Sequence, residues 1–135
     1  MREFSKERYQ VDVLKVEVPV NMRFVKGYGQ ETCYSQAEAS TYFYEQSKVT
    51  EQPFIFFSAG VSAALFQDTL RFAKQSGSTF NGVLCGRATW AKGVAPFVTE
   101  GEEKASSWML EEGKQNIKEL STLLEETATP VYVDR

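Results

Sequence analysis

A chain of 135 residues carrying 15 Lys+Arg, 18 Asp+Glu, two Cys and no His is the size of one domain. Without imidazole, Ser-His and Cys-His nucleophiles, His-ligated zinc and an imidazole base are all excluded, so proton transfer falls to carboxylate, lysine, tyrosine, cysteine or water. A net charge of -3 with mixed signs argues against nucleic acid as the main partner, while leaving room for a small phosphorylated ligand held by one or two local cations.

Cys33 and Cys85 are too few for a disulfide framework and lack a metal-ligand spacing, so no metal and a reducing, cytoplasmic address are expected. The charged start MREFSKERYQ has no apolar signal core and no apolar run approaches a membrane span, so no membrane partner is expected.

In chain order, three short apolar runs read as strands: Val11 to Val20, Phe54 to Phe57 and Gly82 to Cys85. Their near-continuous hydrophobicity predicts burial on both faces, as in a parallel sheet covered by helices. After the first strand and a polar loop, Ser35-Gln-Ala-Glu38 is a capping box. It opens a helix with Ala39, Tyr42 and Phe43 on one face.

Ser62 caps the next helix, whose Phe66, Leu70 and Ala73 fall at i, i+4 and i+7, and Gly77 stops it. Thr99 to Glu102 repeats the capping pattern before Ala105, Trp108 and Met109. Gly113 then interrupts, and Ile117, Leu120 and Leu124 mark a last helix. The expected order is an initial helix followed by three strand-helix units, hence α/β with a parallel sheet. A complete (β/α)8 barrel takes about 250 residues and eight strands, so only part of one fits here.

Some features invite the plainer interpretation. Gly27-Tyr-Gly29 lacks the third glycine of a dinucleotide fingerprint and reads as a mobile loop. Cys85 reads as an inert core thiol. Tyr42, Phe43 and Tyr44 read as packing, with Tyr44 the one reaching water. Asn81-Gly82 reads as a helix-to-strand turn rather than a hairpin.

Chemistry concentrates at the strand ends. Alternation puts Val13, Lys15 and Glu17 on one face of the first strand and Leu14, Val16 and Val18 on the other. Burying an amine in an apolar strand favours its neutral form, which is the form that attacks a carbonyl to give a Schiff base. Glu17 could hold the ammonium or shuttle a proton; a plain Lys15-Glu17 salt bridge is the alternative.

The second strand runs into Ser58-Ala-Gly-Val-Ser62, where Gly60 permits close backbone approach and a helix start favours an anion. The third ends in Gly86-Arg87, with Ala88 to Lys92 a candidate short extra helix. Ser58, Ala59, Gly60, Gly86 and Arg87 together form a candidate phosphate cradle.

Four segments carry a resemblance to a known family: Asp12-Val-Leu-Lys-Val-Glu-Val-Pro-Val-Asn21, Ser58-Ala-Gly-Val-Ser62, Phe80-Asn-Gly-Val-Leu-Cys-Gly-Arg-Ala-Thr-Trp90 and Thr127-Ala-Thr-Pro130. They resemble the C-terminal part of tagatose 1,6-bisphosphate aldolase. The resemblance implies a class I, metal-independent, cofactor-free enzyme on a (β/α)8 barrel that cleaves tagatose 1,6-bisphosphate to glycerone phosphate and glyceraldehyde 3-phosphate.

It further implies that residues 1–135 are one barrel portion: the end of helix 5, then βα units 6, 7 and 8. Lys15 matches the Schiff-base lysine, and Ser58 to Gly60 and Gly86-Arg87 match contacts to the sugar phosphate. The family's catalytic carboxylates and a second lysine belong to strands 1 to 5. A polypeptide of these residues alone is therefore expected to be inactive or strongly impaired, and to form a homo-oligomer through open sheet edges. A non-catalytic sugar-phosphate-binding module and a self-pairing half-barrel are the competing expectations.

Overall fold

The computed structural model describes residues 1–131. Three strands, β1 (Leu14–Val16), β2 (Phe54–Phe57) and β3 (Gly82–Leu84), form one parallel sheet in the order β1-β2-β3, with Lys15 opposite Ile55 and Ile55 opposite Gly82. Helix α1 (Gln36–Ser47) joins the first pair of strands and α2 (Ala63–Gln75) the second. Beyond β3 come the short α3 (Arg87–Trp90), α4 (Val94–Glu100), α5 (Glu102–Trp108) and α6 (Lys114–Thr127). Three parallel strands in sequential order, each followed by helix, make an α/β fold corresponding to part of a (β/α)8 barrel.

Local chemistry explains where the first two helices begin and where the second ends. The Ser35 N–H donates to Glu38 Oε2 (2.8 Å) while the Glu38 N–H donates to Ser35 Oγ (3.2 Å), closing the capping box of α1. This contact holds the Glu38 carboxyl below its ordinary range, first through the backbone and then through the hydroxyl of Ser35. For α2 the Leu65 N–H donates to Ser62 Oγ (3.2 Å), and Gly77 at φ +79° turns the chain out after the last turn, as only glycine does without strain.

Phe66, Leu70 and Ala73 of α2 are buried together in the core, as their spacing predicts. The core between sheet and helices is aromatic: Phe56 lies 5.1 Å from Phe80, 5.6 Å from Phe54 and 6.2 Å from Phe43 between ring centres. Asn81 is a helix-to-strand turn residue, as expected. It accepts from the Phe54 N–H (2.9 Å) and donates to the Thr129 carbonyl (3.0 Å), tying the closing segment to the sheet.

Several expectations need correction. The first strand is three residues rather than ten, because the segment around Pro19 has left the sheet. The strands are not buried on both faces. Leu14, Val16, Phe54 and Phe56 turn to the helices, whereas the opposite face leaves Val13 46% and Leu84 53% exposed. The initial segment holds a 3₁₀ turn at Glu7–Tyr9 rather than an α-helix.

The Gly27-Tyr28-Gly29 loop is anchored, with Tyr28 edge-on to Phe72 at 5.7 Å. Tyr42 is exposed, like Tyr44, and rests on Tyr34 rather than in the core; Ile117 is also exposed, and Leu123 takes the buried place beside Leu120.

Thr99 is not a cap: it sits inside α4, where its hydroxyl donates to the Ala95 carbonyl (2.9 Å), and Gly101 at φ +90° makes the break. Gly113 does not interrupt a helix but closes a π turn, Met109–Gly113, that carries α5 into α6. A methyl group at Gly93 would stand 2.6 Å from the Trp108 ring, and one at Gly113 3.3 Å from both that ring and the Met109 sulfur, so the two glycines make room for these side chains.

Candidate active site

All the sequence-predicted chemistry lies at the C-terminal ends of the three strands, where α/β folds place their ligands. Lys15 projects from β1 onto the open face, its Nζ 5.0 Å from the centre of the Phe57 ring. Phe57 is on that face because it lies two residues beyond Ile55, the partner of Lys15 in the register. The buried amine expected from the apolar strand is corrected here: Lys15 is exposed, since nothing in these three strands covers its face.

After β2 the chain turns sharply. The Val61 N–H donates to the Ser58 carbonyl (3.1 Å), and both central residues have left-handed backbone, Ala59 at φ +48° and Gly60 at φ +80°. Such a conformation is free for glycine and costs energy at alanine, a form of local strain that concentrates at binding turns. Ser58 is buried beneath the turn.

After β3, Gly86 leads into α3, which is followed by a 3₁₀ turn at Ala91–Gly93, so the expected short extra helix is present. The Arg87 guanidinium returns over the neighbouring turn, where its carbon would stand 3.4 Å from a Cβ on Gly60. The two loops therefore meet through an arginine lying on a glycine. Arg87 has no ion-pair partner among the described residues.

Lys15, Ser58, Ala59, Gly60, Gly86 and Arg87 line a single open depression of about 370 Å³. Six of the seven predicted residues are thus brought together. Glu17 is not among them: it borders an adjoining cleft of about 230 Å³ with Asn21 and Phe66, and makes no salt bridge with Lys15. Sequence reasoning missed Phe57 and Trp90, which also line the depression. Two-residue alternation along β2 was the available signal for Phe57. Among the described residues no cluster of His, Cys, Asp and Glu is gathered as a metal site.

An amine and a guanidinium in one depression beside a strained glycine turn can engage a carbonyl compound bearing a phosphate. A family model described as DeoC/LacD family aldolase matches residues 1–92. The chain belongs to the DeoC/LacD aldolase family. Among curated proteins this DeoC/LacD chain is 62% identical over 132 residues to tagatose 1,6-diphosphate aldolase 1 of Enterococcus faecalis, covering 98% of itself and 41% of that protein.

It is 56% identical over 130 residues to the tagatose 1,6-diphosphate aldolase of Streptococcus agalactiae and 53% over 131 residues to that of Lactococcus lactis, covering 96% of itself and 40% of each relative. The chain therefore spans about two fifths of the length of the curated relatives it matches.

Cys85 also borders the depression of this aldolase-family chain. Burial pushes its thiol above the ordinary range, with the Ser58 hydroxyl pulling more weakly in the opposite direction. Thiolate is the reactive form, so little of Cys85 is reactive at neutral pH, whereas Cys33 is exposed. Iodoacetamide at neutral pH should alkylate Cys33 well before Cys85, and the gap should narrow as pH rises through the thiol range. Peptide mass spectrometry over time checks this, and equal rates at neutral pH would contradict it.

Proposed function

We propose that these residues form the imine-forming, phosphate-gripping end of a class I, metal-independent and cofactor-free aldolase that cleaves tagatose 1,6-bisphosphate to glycerone phosphate and glyceraldehyde 3-phosphate. The observation that carries this reading is that Lys15 on β1 and Arg87 at the start of α3, beyond β3, line one depression at the C-terminal end of the sheet. The aldolase relatives support the reaction class and the substrate. In this proposal residues 1–135 correspond to the end of helix 5 and βα units 6 to 8 of the barrel.

Lys15 Nζ adds to the ketone carbon of the sugar, water leaves, and the resulting iminium withdraws the electrons of the carbon-carbon bond that breaks. Glu17 is assigned the proton shuttle of imine formation; from the adjoining cleft it acts through an intervening water. Ser58, Ala59, Gly60, Gly86 and Arg87 hold a phosphate group, with Arg87 offering a planar fork of donors. Among the described residues no helix is long and apolar enough to cross a membrane. A cytoplasmic setting, with a sugar phosphate as partner and no nucleic acid or membrane, belongs to the same proposal.

Borohydride reduction in the presence of glycerone phosphate tests it. The 135-residue polypeptide should acquire a stable secondary-amine adduct at Lys15, located by peptide mass spectrometry, and Lys15→Ala should acquire none. Cleavage of tagatose 1,6-bisphosphate by the same polypeptide should be negligible, because the family's remaining acid/base groups belong to other strands. Binding without an adduct would replace the aldolase reading with a sugar-phosphate-binding module, and robust turnover would refute the assignment of those groups elsewhere.

A further inference from the structure

Trp90 ends α3 and shows 43% of its surface. It borders both an apolar cleft formed with Met109, Gly113 and Ile117 and the depression that holds Lys15 and Arg87. Tryptophan suits such a position because it combines a large apolar body with one polar N–H edge.

That edge is set over Gly86: a Cβ there would stand 3.4 Å from Trp90 Nε1. The two glycines of the cradle thus carry parallel roles. Gly60 lies against the Arg87 guanidinium, and Gly86 lies against the Trp90 indole nitrogen. A methyl group at either position would stand in van der Waals contact with a nitrogen donor, so both donors lie directly against the glycine backbone of the depression. The indole N–H, which can only donate, has no acceptor among the described residues.

We propose that Trp90 is a ligand of the phosphate monoester, its indole N–H donating to a phosphate oxygen beside those held by Arg87. This rests on the phosphate cradle proposed above and adds a residue to it. A dianionic phosphate has three oxygens to satisfy, more than one guanidinium fork covers, and a fixed N–H on the same rim meets one of the remainder.

The test uses the 135-residue chain with inorganic phosphate and glycerone phosphate as probes. With ¹⁵N-labelled tryptophan, the indole resonance of Trp90 should shift on adding either probe, while that of Trp108, wedged between Gly93 and Gly113, should stay in place. Trp90→Phe keeps the ring and removes the donor. It should weaken phosphate binding by about fivefold to tenfold, the loss expected for one partly exposed hydrogen bond to a charged group.

Arg87→Ala should weaken binding more, and the circular dichroism of both variants should match the parent. An unmoved Trp90 resonance at saturating phosphate, or a Trp90→Phe affinity equal to the parent while Arg87→Ala fails to bind, overturns the role of Trp90 and leaves the cradle standing. No phosphate binding by the parent chain overturns the cradle and Trp90 together.

Discussion

Phe56→Ala should destabilise the fold by about 3–5 kcal/mol, the cost of removing a phenyl ring from a packed interior and leaving a cavity. Phe56 is fully buried on the central strand and touches aromatic rings from three directions: Phe54 on its own strand, Phe43 on α1 and Phe80 at the entry to β3. No single neighbour can move in to fill the space without abandoning another contact. Domains of this size hold about 5–15 kcal/mol in all, so the loss consumes a large share of the total.

The urea midpoint read by circular dichroism should fall steeply for Phe56→Ala. It should move little for Leu84→Ala, whose side chain is already 53% exposed on the open face. A Phe56→Ala midpoint equal to the parent would mean that the aromatic cluster is not the core.

What the sequence made legible follows from how local each signal is. The starts of α1 and α2 and the end of α2 are written in residues that bond to their own backbone: Ser35 with Glu38, Ser62 and Gly77. The four residues of β2 stand out because nothing but apolar side chains occupies them. The gathering of Ser58, Ala59, Gly60, Gly86 and Arg87 in one depression is legible for a related reason, since these residues lie in two short turns at equivalent strand ends.

The failures are those where the outcome depends on distant contacts. Tyr42 and Ile117 carry helix spacing but sit at the margin of the apolar stripe, where only the neighbouring elements decide exposure. Gly113 resembles a breaker, yet it sits in a continuous helical path where it makes room for Trp108 and Met109. Glu17 was placed with Lys15 by two-residue alternation, a rule that holds only while the chain remains a strand; β1 ends at Val16, and the carboxylate turns into the next cleft. The expected burial of Lys15 failed because apolar neighbours in sequence cover only one face of its strand.

The same open face leads to the second large expected effect. A polypeptide of these 135 residues should self-associate, and its sedimentation coefficient should rise with concentration. Both edge strands, β1 and β3, present unpaired backbone groups, and the face between them carries Val13, Phe57 and Leu84 without a covering layer. The two edges are not equivalent. A lysine on an edge strand opposes flat pairing by another chain, and β1 carries Lys15, whereas β3 contains only Gly82, Val83 and Leu84.

Closed pairs form most readily about a twofold axis, which would set β3 against β3 of a second copy in antiparallel orientation and bury both Leu84 side chains. Leu84→Asp should therefore shift the population to monomer while leaving the urea midpoint of the monomer nearly unchanged, because Leu84 contributes little to the core of its own chain. Lys15→Leu should act in the opposite sense, removing the charge that guards β1 and opening a second edge to assembly. A parent chain that sediments as a strict monomer at the highest soluble concentration would show that the exposed face and edges are tolerated by the isolated sheet, and the pairing would have to be abandoned.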